Sequence, residues 1–172
     1  NDEEMTVQGY IGKGGSSDVG AGCAILSTTH ALWYLKGLKD DPTDFVLELT
    51  AFSLRYGFRA NGAGTVEGLT MAFCGARGGE YGIRYVKSAK TLGEITGDLE
   101  NGKVAVAHVK GHYIAIVDYD SVREEYLVLD SSMKADRDTV PDGYRWMKAE
   151  EFTGLMKIIN STRSLQVFGE AE

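Results

Sequence analysis

Gly20-Ala21-Gly22-Cys23, running into Ala24-Ile25-Leu26-Ser27-Thr28-Thr29-His30-Ala31-Leu32-Trp33-Tyr34-Leu35, sets a cysteine where a glycine-rich loop meets an apolar helix. The helix is expected from about Cys23 to Leu35, stopping at Gly37. Its apolar residues Ile25, Leu26, Leu32, Trp33 and Leu35 spread round more than one stripe, as in a largely buried helix. A helix start carries N–H groups without internal partners and roughly half a positive charge. A thiol at that point is drawn toward thiolate, the nucleophilic form of cysteine. Glycines such as Gly22 strip side chains from the approach, so a substrate backbone can come close to the sulfur. The plain alternative is a small buried cysteine at a helix start.

Outward from this stretch, residues 1–20 read as an irregular N-terminal segment with Gly12, Gly14, Gly15 and Gly20 in a loop. Asp41-Pro42-Thr43 signals a second helix through about Arg55. Thr65, Glu67 and Met71-Ala72-Phe73 indicate a shorter third helix ending near Gly78-Gly79, followed by the alternating strand Ile83-Arg84-Tyr85-Val86. Thr91 to Glu100, closed by Asn101-Gly102, reads as a fourth helix weakened by Gly93 and Gly97. The second half is β-branched and aromatic. Strands are expected at Val104–Val109, His112–Tyr119 and Tyr126–Asp130, with a turn around Asp120–Glu124. After a polar loop over 131–143 come a strand at Trp146-Met147, a short helix over Ala149–Leu155 and a last strand over Ser164–Phe168. Helices first and an antiparallel sheet afterwards mean an α+β fold.

The 172 residues suit one domain, residues 1–172, with a sizeable core. A hydrophobic share of 43% and a charged share of 25% argue against long disorder. A net charge of -7 without a basic cluster argues against a nucleic-acid surface. The apolar runs all fall short of the roughly 18 residues of a membrane span. The chain begins at Asn1 and reads as a mature or trimmed form, so a signal peptide would already be gone. Cys23 and Cys74 make neither a disulfide framework nor a CxxC zinc pair, and no metal or cofactor is expected. Asp136, Asp138 and Asp142 lack the glycine and distal glutamate of a calcium loop. The glycines at 9–22 lack the Gly-Lys-Ser/Thr of a phosphate loop.

A cysteine nucleophile needs a base within hydrogen-bond reach, and the base needs an orienting partner. His30 lies seven positions after Cys23 on one helix, roughly 10 Å along the axis, which is out of reach. His108 sits inside the apolar run Val104-Ala105-Val106-Ala107, where a packed histidine is expected. His112 follows Gly111 at the mouth of a strand, where a side chain can face a cleft, and is preferred. If the hairpin turn centres near Val122, residue 114 faces 130, and Asp130 lies diagonally beside His112 on the same sheet face. Asp118 would pair near 126, roughly 20 Å along the strand from His112. Asp120 belongs to the turn.

Gly22-Cys23 opening a helix, Gly111-His112-Tyr113-Ile114, and Leu127-Val128-Leu129-Asp130 in the next strand resemble papain-like cysteine peptidases. The nearest resemblance is to the family-thirty-nine-like branch, whose relatives trim double-glycine leaders from bacteriocins. The likeness runs in order over about residues 20–158 and includes Leu99-Glu100-Asn101-Gly102-Lys103-Val104 and Gly143-Tyr144-Arg145-Trp146. It implies a papain-like fold, N-terminal helices packed on a C-terminal antiparallel sheet, with Cys23 as nucleophile, His112 as base and Asp130 as orienter. Ala24-Ile25-Leu26 stands where the family commonly has Gly-Pro-Thr or Gly after the cysteine. Ser17 stands where its bacteriocin processors carry a glutamine oxyanion donor. Ser17, Gln8 or the Cys23 N–H alone would then hold the oxyanion.

The expected function is hydrolysis of peptide bonds in a peptide or protein substrate, by a monomer that needs no cofactor. Gly22, Gly111 and Trp146, with Tyr81 and Tyr85, are candidate groove residues, and Cys74 is expected in the core. A cell-wall peptide amidase with the same triad, or a catalytically silent peptide-binding module, would share these features. The resemblance further implies export to a bacterial surface or medium.

Overall fold

The sheet at the centre of the molecule owes its buried position to strands that are apolar on both sides. Val104–Val109 (β2), His112–Asp120 (β3) and Glu125–Leu129 (β4) carry a nearly unbroken series of buried residues. Such a sheet must be covered on both faces. A computed structural model describes residues 19–37, 41–58, 67–110, 112–129, 144–154 and 164–172. Ahead of the sheet come helices α1 (Val19–Leu35), α2 (Thr43–Arg55) and α3 (Leu69–Tyr81). Strand β1 (Ile83–Ala89), a 3-10 turn (Leu92–Glu94) and the short helix α4 (Thr96–Glu100) lead into β2. Strand β5 (Tyr144–Lys148), helix α5 (Ala149–Gly154) and strand β6 (Leu165–Glu170) close the chain. All neighbouring strands are antiparallel, in the order β1-β6-β2-β3-β4-β5.

Alternation along the strands divides the interior into two layers. Val104, Val106, Ala115, Val117, Leu127, Leu129 and Phe168 face α1, α2 and α3, which contribute Ile25, Leu32, Phe45, Leu49 and Phe73. Ala105, Ala107, Ile114, Ile116, Val128 and Val167 face the other way and meet Leu92, Ile95 and Leu99. The fold class is therefore the α+β arrangement expected from the sequence, with the segment around α4 supplying the cover for the second face.

The differences from expectation have local causes. Helix α1 begins at Val19, four residues before Cys23, so Val19 and Gly20 are helical and do not belong to the irregular segment. Two glycines cost about 1 kcal/mol each against helix, and packing of the helix outweighs them. The expected fourth helix divides at Ile95, because Thr91 and Glu94 form a capping box around the 3-10 turn. Helix α3 passes through Gly78-Gly79 to Tyr81 and stops at Gly82, whose φ of 67° suits glycine.

Gly78 is there for space. A Cβ at this position would stand 2.4 Å from the Ile83 carbonyl oxygen, a backbone atom at the start of β1. Gly78→Ala must push α3 and β1 apart, and we expect a loss of about 1–3 kcal/mol in urea unfolding despite the better helix propensity of alanine. A stability equal to or above wild type would show that this contact yields.

Candidate functional site

Helix α1 carries three consecutive buried hydroxyl residues, and each finds a partner, as buried polar groups must. Ser27 Oγ donates to the Tyr113 carbonyl of β3 at 2.8 Å, Thr28 Oγ1 bonds Thr70 Oγ1 of α3 at 2.6 Å, and Thr29 Oγ1 donates back to the Ile25 carbonyl at 2.8 Å. These bonds fix where the helix lies on the sheet. At the other end of α1, Leu35 shares a shallow cleft with Asn101, Gly102 and Lys103 ahead of β2. The helix axis thus runs from the β2–β3 turn toward the start of β2, with its N-terminal end at the turn. Cys23 stands one turn before Ser27, about 6 Å further along the axis, and the Ser27 partner Tyr113 is the neighbour of His112.

Cys23 is the fifth residue of its helix. That places it one turn inside α1, a correction to the expectation that it sits at the helix mouth, with Gly22 in the same first turns. Its side chain is outside the described set. His112 is half-buried and opens β3, paired with Val109 across the tight β2–β3 hairpin. Both therefore lie toward one rim of the sheet, although strand parity turns the His112 side chain to the face away from α1. Gln8, Ser17, Gly111 and Asp130 lie outside the described residues.

The hairpin that leads toward Asp130 has the expected register. Ala115 pairs with Leu129 and Ile116 with Val128. Nearer the turn a bulge shifts the ladder, so Asp118 pairs with Leu127, one residue from the expected partner. Asp120 ends β3, paired with Glu125, a correction to its expected place in the turn, and its carboxylate accepts the N–H groups of the turn residues Val122 (2.9 Å) and Arg123 (3.1 Å).

His108 differs most from the sequence reading. The pleat sets it on the face of Val104 and Val106, toward the helices, whereas His112 follows the parity of Ile114 and Ile116. His108 is half-buried, but it is more than packing. Its Nδ1 lies 2.7 Å from Glu67 Oε2, just ahead of α3, and its ring stacks on Tyr113 at 4.2 Å and 4°. The parity of 108 with 104 and 106 was visible in the sequence; the carboxylate 41 residues away was not. His30 lies on α1 beyond reach of Cys23, and burial pushes its pKa down, favouring the neutral ring.

Of the aromatic groove candidates, Trp146 sits opposite Leu127 on β5, half-buried against the helix-side layer. Tyr81 packs edge-on against Phe45 and donates to Glu48, and Tyr85 bonds Ser88 at 2.7 Å on β1, at the far edge of the sheet from β4 and β5. These contacts are those of packing residues, the plain alternative to a groove role. Cys74 is buried in the core as expected, and burial pushes its thiol up to about 12. We expect Cys74 to resist iodoacetamide at pH 8 in the folded protein and to react once urea unfolds it, read by mass spectrometry. Labelling of Cys74 in the folded state would contradict its placement. Among the described residues, no three His, Cys, Asp or Glu side chains gather as a metal-ligand set, and no helix is long and apolar enough to cross a membrane.

No protein-family model matches the chain. No curated protein matches it either. A solved structure does: the crystal structure of a double glycine motif protease from an AMS/PCAT transporter in complex with the leader peptide. It superposes with a TM-score of 0.51 at 14% sequence identity, covering 87% of this chain and 84% of that one. At this identity the likeness establishes the fold, N-terminal helices on an antiparallel sheet of the papain-like peptidase type.

Proposed function

We propose that the protein is a cysteine peptidase that hydrolyses peptide bonds with Cys23 as nucleophile, His112 as base and Asp130 as the group that orients the imidazole. The observation that carries this reading is the Ser27–Tyr113 bond, which ties the Cys23 helix to the strand that His112 opens. The hairpin register, which reaches Leu129 as expected, supports Asp130 as the third member. The shared fold with a double glycine motif protease that binds a leader peptide supports an extended peptide as substrate.

In the reaction His112 takes the thiol proton, and the Cys23 sulfur attacks the scissile carbonyl carbon, placing the electron pair on its oxygen. The C–N bond breaks as the imidazolium passes that proton to the leaving amine. Water, deprotonated by the same ring, then attacks the thioester. A second tetrahedral intermediate collapses with release of the acid and return of the thiol. With Cys23 inside the helix, its N–H is less open to the oxyanion than at a helix mouth, so the oxyanion needs a donor upstream, where Ser17 and Gln8 are the candidates.

The test is incubation with a panel of synthetic peptides, including ones with a Gly-Gly site, and with cell-wall stem peptides, read by mass spectrometry. Cleavage at a peptide bond of the first group by the wild type and not by Cys23→Ala is the expected result. Cleavage of the stem peptides alone would make the protein a cell-wall amidase, and binding without cleavage of any would make it a peptide-binding module.

A further inference from the structure

The Glu67–His108 pair lies outside the proposed triad, yet it is built into the same rim of the sheet. Glu67 Oε2 and His108 Nδ1 are 2.7 Å apart, and both side chains are about four-fifths covered, at 24% and 19% exposure for His108 and Glu67. The His108 ring lies parallel on Tyr113, its cross-strand partner. The Tyr113 carbonyl in turn accepts the Ser27 hydroxyl of α1. The backbone N–H of His108 donates to the Ser164 carbonyl at 2.7 Å, which fixes β2 from its other side. One carboxylate thus holds one ring, the ring holds Tyr113, and Tyr113 touches both the residue next to it, His112, and the helix that carries Cys23. A partly shielded histidine–carboxylate bond has a defined direction and fixes the orientation of the ring.

We propose that Glu67 and His108 form a positioning pair that sets the alignment of the His112 strand against the Cys23 helix. This rests on the peptidase reading above and adds a residue pair to it. The pair acts through Tyr113 and holds the nucleophile and its base in register. Misplacement of a catalytic group by about 1 Å can cost on the order of 100-fold in rate, so loss of the pair is read in the reactivity of Cys23.

Iodoacetamide alkylation of Cys23 at pH 6.5, resolved by mass spectrometry and paired with thermal melting, tests the proposal in wild type, Glu67→Gln, Glu67→Ala, His108→Phe and the double variant Glu67→Ala/His108→Phe. His108→Phe keeps a ring on Tyr113 and removes the bond to Glu67. Glu67→Gln keeps an acceptor for the ring N–H and removes the charge. The expected result is alkylation slowed about ten-fold or more in Glu67→Ala and His108→Phe, no further loss in the double variant, and near wild-type rates in Glu67→Gln. Wild-type rates in both single variants, even with a lowered melting temperature, would overturn the proposal by reducing the pair to a structural contact. Equal slowing in Glu67→Gln and Glu67→Ala would overturn it too, because charge and not position would be acting. If Glu67→Ala does not fold, His108→Phe against Glu67→Gln decides. An unactivated Cys23 in the wild type would instead fail the peptidase reading itself, which separates the two.

Discussion

Under the proposed peptidase function, Cys23→Ala and His112→Ala are each expected to lower the rate of peptide cleavage by on the order of 10⁴-fold or more, with the double variant no slower than either single one. The reason is that nucleophile and base act as one unit: a thiol without its base reacts slowly, and a base without a thiol has nothing to deprotonate. Both residues lie toward the rim of the sheet at the β2–β3 turn. Cys23 precedes Ser27 by one turn, and Ser27 is bonded to Tyr113, the neighbour of His112. His30→Ala is the control, since His30 lies further along the same helix, away from Cys23, and should leave turnover intact. Steady-state cleavage of whichever peptide the panel identifies is the measurement. Independent, additive losses in the two variants would show that Cys23 and His112 do not work together.

Phe45→Ala is expected to have the largest effect on stability. Phe45 is 1% exposed and sits where α1, α2 and α3 converge. Its ring meets Trp33 at 4.8 Å, Tyr81 at 5.0 Å and Phe73 at 5.4 Å, the last two edge-on. Truncation removes the buried ring and its edge contacts and leaves a cavity that three helices cannot fill without moving, at a cost of about 3–5 kcal/mol. Against a typical total of about 5–15 kcal/mol, the variant should be marginally folded at 37 °C, as urea denaturation would show. A loss below about 1 kcal/mol would mean that the helical layer closes around the gap.

What could be read from the sequence was local. Away from the turn the expected pairing holds, Ala115 with Leu129, because a bulge at Val117 offsets a turn one residue longer than expected, with Asp120 paired to Glu125. Asp41 before α2 accepts the Thr43 N–H at 2.9 Å, as its position at a helix start indicates. What escaped was non-local or set by packing. Strand β6 inserts between β1 and β2, although nothing in residues 165–170 distinguishes an edge strand from a central one. Helix α1 starts at Val19 because its contacts outweigh two glycines that argue for a loop. The run Ser27-Thr28-Thr29 in an otherwise apolar helix was a signal for buried bonds to neighbouring elements, and its partners lie 42 and 86 residues away for Thr28 and Ser27. Glu67 and His108 escaped for the same reason. Either residue alone reads as ordinary; only the fold puts the carboxylate on the ring.

The most direct test of the account is the rate of iodoacetamide alkylation of Cys23 against pH, site-resolved by mass spectrometry, in wild type and His112→Ala. Cys74, whose thiol burial pushes up to about 12, serves as the internal reference. The account predicts fast labelling of Cys23 well below pH 8, slowed in His112→Ala, as a thiolate stabilised by its histidine requires. A Cys23 that titrates as an ordinary thiol near pKa 8.5, unaffected by His112→Ala, would contradict it.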